Sequence, residues 1–196
     1  MRTLTLDDLL PLAEFLTRRP ALEQKVIATR EARRLELGDH MSLTFENHVT
    51  VKWQVQEMCR VERITRPEAI QDELAAYNPL LPGASELSGT LLVAYVDPAE
   101  RAAKLRALTG LSRHVHLEIE GEARAPVVFE GGREEEETGK ISSVQYVKIP
   151  LSPSQRRAFL DLSRSATLVV DHPAYPASTP LRATVRGALV EDLLTE

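Results

Sequence analysis

The sequence predicts an α+β fold, a mainly antiparallel sheet flanked by N-terminal, central and C-terminal helices, and three observations lead there. The spacing of apolar residues switches repeatedly between a helical period and a period of two. Helical and extended stretches follow one another without the regular strand–helix alternation of a doubly wound sheet. A chain of 196 residues with 43% hydrophobic and 27% charged residues is also large enough to bury a core without metals or disulfides. No internal repeat and no long linker interrupts it, so residues 1–196 read as a single domain.

The elements follow in order. Thr5 with Asp8 resembles a capping box, and Pro11 suits the first turn of a short helix that carries Leu12, Phe15 and Leu16 inward. A second helix is predicted from Pro20 to Leu37, stopped by Gly38. Met41, Leu43 and Phe45, then Val49, Val51, Trp53 and Val55, alternate with polar residues about a turn at Asn47-His48, which predicts a hairpin over 41–55. Glu57 to Ile64 reads as a helix with Met58, Cys59 and Glu62 on its inner face, and Pro67 opens another that Asn78-Pro79 ends. Leu91 to Val96 is a candidate central strand, Asp97-Pro98 starts a helix closed by Gly110, and His114 to Glu120 alternates as a strand with Val115, Leu117 and Ile119 inward. Further strands are predicted at 125–129 and 143–149, separated by a glycine pair and the acidic run Glu134 to Glu137, read as an exposed hairpin loop. Ser152-Pro153 opens a helix, Ala166 to Val170 is a last strand, Asp171 to Pro176 a turn, and Leu181 to Leu194 a closing helix.

Composition excludes several classes. Cys59 is the lone cysteine, and an iron–sulfur cluster, a thiolate zinc site or a disulfide each needs at least two in one chain, so the chain carries no iron–sulfur cluster of its own. No apolar run approaches the roughly 18 residues of a membrane span, and the N-terminal residues do not resemble a signal peptide, so a cytoplasmic location is expected. A net charge of −5 argues against bulk attraction to nucleic acid.

Any metal would therefore need His and carboxylate ligands. His114, His116 and Glu118 share one face of a predicted strand, either as a partial metal site or as the strand's solvated side. Asp171-His172 leaves an apolar strand end, where the pair serves either as ligand or acid–base group or as turn hydrogen-bond partners before proline. Glu62 on an inner helical face needs a partner, an Arg or a metal, and Glu57 lies on the same helix. The basic cluster Lys25, Arg30, Arg33 and Arg34 is interleaved with acids and reads as a solvated face. No phosphate loop or nucleophile elbow is present, and Cys59 reads as a small buried hydrophobe.

Phe45-Glu46-Asn47, Gln56-Glu57-Met58, Tyr77-Asn78-Pro79-Leu80, Asp171-His172-Pro173-Ala174-Tyr175 and the opening Leu4-Thr5-x-Asp7-Asp8-Leu9 occur together in this order. Over the whole chain they resemble a bacterial family of uncharacterised proteins of about 200 residues, a domain of unknown function. The resemblance implies a gene neighbourhood with rubrerythrin and iron–sulfur oxidoreductases of the heterodisulfide-reductase type, hence a place in peroxide defence or electron transfer. Two functions follow as expectations. One is an accessory protein that binds such a redox partner through surfaces around 41–55 and 171–175, with Glu46, Asn47, Tyr77 and Tyr175 as candidate ligand-binding residues. The other is a non-haem metal-dependent enzyme that uses His172, Asp171, Glu57 and Glu62, on iron or manganese.

Overall fold

The computed structural model describes residues 2–130 and 139–195. The acidic run Glu134 to Glu137 lies outside the described residues. Among those described, six α-helices and nine strands form two antiparallel sheets, an α+β fold as expected. The first sheet has the order β1-β2-β3-β7-β6, from Arg34–Glu36 (β1), Met41–Phe45 (β2), Glu86–Val93 (β3), Val144–Pro150 (β7) and Val128–Glu130 (β6). The second has the order β5-β4-β8-β9, from Ala125–Pro126 (β5), Val115–Ile119 (β4), Ala166–His172 (β8) and Tyr175–Pro180 (β9). The stretch expected as one strand at 125–129 is thus divided: β5 pairs with β4 and β6 with β7, so the chain passes from one sheet to the other within a few residues.

Three expectations about the N-terminal half are corrected. Helix α1 runs unbroken over Leu12–Glu31 and contains Pro20. Pro20 lies on the exposed side, where water can serve the carbonyl that loses its helical donor. The helix ends before Leu37, because Arg33, Leu35 and Leu37 are buried alternately with exposed Arg34 and Glu36, and this period of two makes β1. Gly38 then turns the chain at φ +69°, and a Cβ there would lie 2.8 Å from the Tyr175 hydroxyl.

The third correction is the largest. Residues 49–55 are not a strand: α2 spans His48–Val61. The Asn47 side chain accepts from the N–H groups of Val49 (3.0 Å) and Thr50 (3.1 Å), and the Thr50 hydroxyl accepts from the Asn47 N–H at 3.0 Å. That reciprocal cap starts a helix whose buried stripe is Val51, Val55 and Cys59, four residues apart.

Helix α3 (Pro67–Tyr77) stops where expected, and a short 3-10 turn over Asn78–Leu80 follows. Helix α4 (Pro98–Ala107) is capped by Asp97, and α5 (Pro153–Leu160) by a Ser152/Gln155 capping box. Helix α6 (Ala183–Leu194) closes the described chain. Asp171 and His172 belong to β8, which is longer than expected and pairs with the unanticipated β9 from Thr167↔Pro180 to His172↔Tyr175.

Two apolar clusters result. The larger joins both sheets to α4, α5 and α6 and includes Leu43, Leu91, Leu117, Val147, Phe159 and Leu189. The smaller, Leu4, Val51, Val55, Cys59, Leu74, Leu80 and Leu81, lies among α2, α3 and the N-terminal residues. Cys59 is buried there, as expected. No helix among the described residues is long and apolar enough to cross a membrane.

Candidate functional site

Two places gather chemistry, and the first is the outer face of the second sheet. The β4–β8 ladder pairs Val115 with Val170 and His116 with Val169, and the Asp171 N–H donates to the His114 carbonyl at 2.9 Å. Asp171 therefore lies opposite His114 and on the same face as His116 and Glu118. His114 Nδ1 is 2.9 Å from Asp171 Oδ1, and His116 Nδ1 is 3.8 Å from Asp171 Oδ2. Arg124 spans the two carboxylates, 3.0 Å from Glu118 Oε1 and 3.4 Å from Asp171 Oδ2. The hydrogen bond with His114 is the main cause that holds the Asp171 carboxyl below its ordinary range.

His116 is only 7% exposed, and its buried Nε2 has no hydrogen-bond partner. His172 differs. It faces the core, its Nδ1 accepts from the Ala174 N–H at 3.2 Å, and its Nε2 lies 3.2 Å from the Thr109 carbonyl, which can only accept. Both ring nitrogens of His172 are thus engaged by backbone in one neutral tautomer. Its ring meets His114 edge to face, with centroids 5.0 Å apart.

The second place is a cleft among α1, α2 and α3. A cavity of about 310 Å³ is lined by Leu9, Leu12, Phe15, Gln56, Cys59 and Ile64 among others. A neighbour of about 230 Å³ shares Phe15 and Gln56 and adds Lys25, His48, Lys52 and Trp53. Burial, the largest influence, pushes the His48 imidazole down, and its buried Nε2 has no hydrogen-bond partner. Burial also pushes the Cys59 thiol up, away from the thiolate. Trp53 packs edge to face on Phe15 at 5.6 Å, with the Arg19 guanidinium 5.4 Å from its ring centroid.

The residues singled out from sequence do not form one constellation. Glu57 is bound by Arg19 at 2.8 Å and Arg60 at 2.9 Å. Burial alone would raise its pKa, but those two arginines bring it below the ordinary value. Glu62 is exposed and not on an inner face, because α2 ends at Val61 and the helical spacing that would set Glu62 beside Cys59 does not extend to it. Asp171 and His172 lie on opposite faces of β8 in the second sheet, apart from α2. Among the described residues no group of three or more His, Cys, Asp or Glu is placed to hold a metal ion.

Glu46 and Asn47 are buried at the start of α2. Glu46 accepts from the hydroxyls of Thr50 and of Thr90 (2.7 Å) and from Gln54 (3.1 Å), and the nearby Arg33 pairs with Asp192. Tyr77 packs against the smaller apolar cluster, and Tyr175 donates to the Leu37 carbonyl at 2.7 Å and accepts from the His40 N–H at 2.9 Å. Sequence reasoning separated the His114–His116–Glu118 row from Asp171; the β4–β8 register that joins them is not a local signal. It also missed Arg124, His48 and Trp53 as site residues.

The sequence signature of a family described as "Protein of unknown function (DUF3501)" matches residues 3–193. Among solved structures, a crystal structure of a novel protein of unknown function from Burkholderia pseudomallei K96243 is similar over 97% of this chain and 99% of that chain, at 31% identity and a TM-score of 0.90. Comparison with the curated proteins found no match.

Proposed function

The chain belongs to the DUF3501 family of proteins of unknown function, and from its geometry we propose that it is a partner-binding accessory component of a redox or peroxide-defence system. The observation that carries this reading is the α1–α3 cleft. Two adjoining, largely apolar cavities open there, and the same helices leave Leu16 and Ile27 on α1 about half exposed (50% and 53%). Exposed apolar side chains on a helix that also lines a concave apolar surface fit a protein partner. Lys25 and Lys52 at the second cavity favour a partner segment with apolar side chains and acidic flanks.

The lone thiol supports this division of roles. Held neutral by burial, Cys59 leaves thiolate electron transfer to the partner. The partner class, rubrerythrin or an iron–sulfur oxidoreductase, rests on the gene neighbourhood that the family resemblance implies. The test is co-purification of the tagged wild type with each candidate, beside Leu16→Asp and Ile27→Asp. Capture by the wild type that falls at least tenfold in both variants supports the reading. Repeated absence of a wild-type complex, or equal capture by the variants, overturns it.

A second reading, a metal-dependent enzyme on iron or manganese, is favoured by one observation: both oxygens of Asp171 face imidazoles, those of His114 and His116.

A further inference from the structure

We propose that the cleft between α1 and α2 binds a straight-chain carboxylic acid of medium length, its carboxylate held by Lys25, Lys52 and His48 and its alkyl chain laid past Phe15 toward Gln56 and Cys59. The site shares the helical cleft with partner binding without resting on that reading. Leu16 and Ile27, the exposed residues a protein partner would cover, line neither cavity.

The cleft is elongated. Leu22, Lys25 and Val26 of α1 meet His48, Val49 and Lys52 at the start of α2, whereas Leu12 and Phe15 at the start of α1 meet Gln56 and Cys59 farther along α2. The two helices therefore run in opposite directions with a groove between them. From Lys25 to Phe15 the groove follows α1 for about 15 Å, at a rise of about 1.5 Å per residue. Cavities of about 230 and 310 Å³ follow one another along it and share Phe15 and Gln56. Together they reach the size of ordinary small-ligand sites, and their length suits an extended chain rather than a compact ring system.

Charge sets the direction of that chain. Among the described residues no Asp or Glu lines either cavity, and both ammonium groups, of Lys25 and Lys52, belong to the smaller one. The larger is walled by Leu9, Leu12, Ile64 and Ile70, and its Gln56 amide already donates to the Leu10 carbonyl at 3.0 Å. One cationic end and one apolar end complement an amphipathic anion. Asp8, whose charge reaches the His48 ring, is itself paired with Arg2, so it does not neutralise the lysines.

His48 adds a hydrogen-bonding group at the cationic end. Burial keeps its imidazole neutral, so the ring carries one N–H, and its buried Nε2 has no hydrogen-bond partner. A carboxylate that accepts from Nε2–H removes the penalty of an unpaired buried group, while the two lysines supply the opposite charge.

Trp53 is the only tryptophan of the chain and lines the smaller cavity, so its fluorescence reports the site. The test is titration of the purified full chain with decanoate below its micelle-forming concentration, which should give a saturable change at one equivalent. Affinity should rise about tenfold for each two methylenes from hexanoate to decanoate. Decanol, with the same chain and no charge, should bind at least tenfold more weakly than decanoate. Lys25→Glu and Lys52→Glu in one chain should weaken decanoate at least tenfold, and His48→Phe about fivefold, whereas Leu16→Asp and Ile27→Asp should stay within twofold of the wild type. Neither lysine is buried, so their reversal spares the core, and thermal unfolding of each variant checks this. No saturable change with decanoate, equal affinity for decanol, or full affinity in the double lysine variant overturns the proposal. A chain that captures a protein partner yet takes up no decanoate loses only this inference; one that binds decanoate and captures no partner loses only the accessory reading.

Discussion

Arg186 shows how one side chain can organise its surroundings. It is buried on α6, donates to the carbonyls of Phe159 (2.7 Å) and Arg164 (3.1 Å), and lies 4.3 Å from the centroid of the Phe159 ring. Burial lowers its pKa, but a guanidinium so surrounded by carbonyls stays charged. Arg186→Ala should cost about 3 kcal/mol in urea unfolding, since it strands buried acceptors in the last turn of α5 and just beyond it. Arg186→Met should recover only the packing share. Tyr175 holds the Gly38 turn by its two hydroxyl hydrogen bonds, so Tyr175→Phe should cost about 1 kcal/mol by the same measurement. Asp192 gives a pH signature. Its burial outweighs the pairing with Arg33 and raises its pKa, so the folded state binds this proton more tightly than the unfolded one. Stability from this group therefore falls as pH rises from about 4, the unfolded value, through the raised folded value. The difference in unfolding free energy between wild type and Asp192→Asn should show that downward slope. A difference that is flat or rises with pH contradicts it.

At the scale of elements, α2 explains most of what the sequence concealed. Val49, Val51, Trp53 and Val55 satisfy a period of two, but Val51, Val55 and Cys59 also satisfy a helical one, and both patterns fit the same letters. The deciding residue is Asn47, which serves as readily in a hairpin turn as in a cap. Here it caps, because its side chain meets two helical N–H groups and Thr50 returns the bond. Asn47→Ala should therefore destabilise the protein by about 1–2 kcal/mol, with loss of helical circular dichroism at partial denaturation. Glu62 shares the helical spacing of Cys59 in the sequence, but α2 ends at Val61 and leaves it exposed, while Asp171 and His172 lie on a strand of the second sheet. By contrast α3, α4 and β4 were legible because proline, aspartate and a clean alternation mark them locally. The His114, His116 and Glu118 row was legible for the same reason. Its meeting with Asp171 was not, since it depends on a strand pairing that spans more than fifty residues.

For the whole molecule, the division into two apolar clusters sets how it opens. The larger cluster is tied by two sheets, and ladders such as β3–β7 run seven residues from Glu86↔Pro150 to Leu92↔Val144. The smaller one rests on helices, joined to the first sheet by bonds such as Glu46 N–H to the Ser88 carbonyl (2.8 Å) and the Ser88 hydroxyl to the Leu80 carbonyl (2.7 Å). Regions with fewer buried contacts open below the global unfolding free energy. The helices α1, α2 and α3, which also line the proposed partner cleft, should therefore exchange their amides faster than β3, β7 and β8. Leu74→Ala, in the smaller cluster, should remove about 2 kcal/mol or more of local packing. Hydrogen exchange read by mass spectrometry should then accelerate in the three helices and leave β3 and β7 protected. Equal acceleration in the sheets would show that the two clusters open as one unit, and the cleft could then deform for a partner only when the whole fold does.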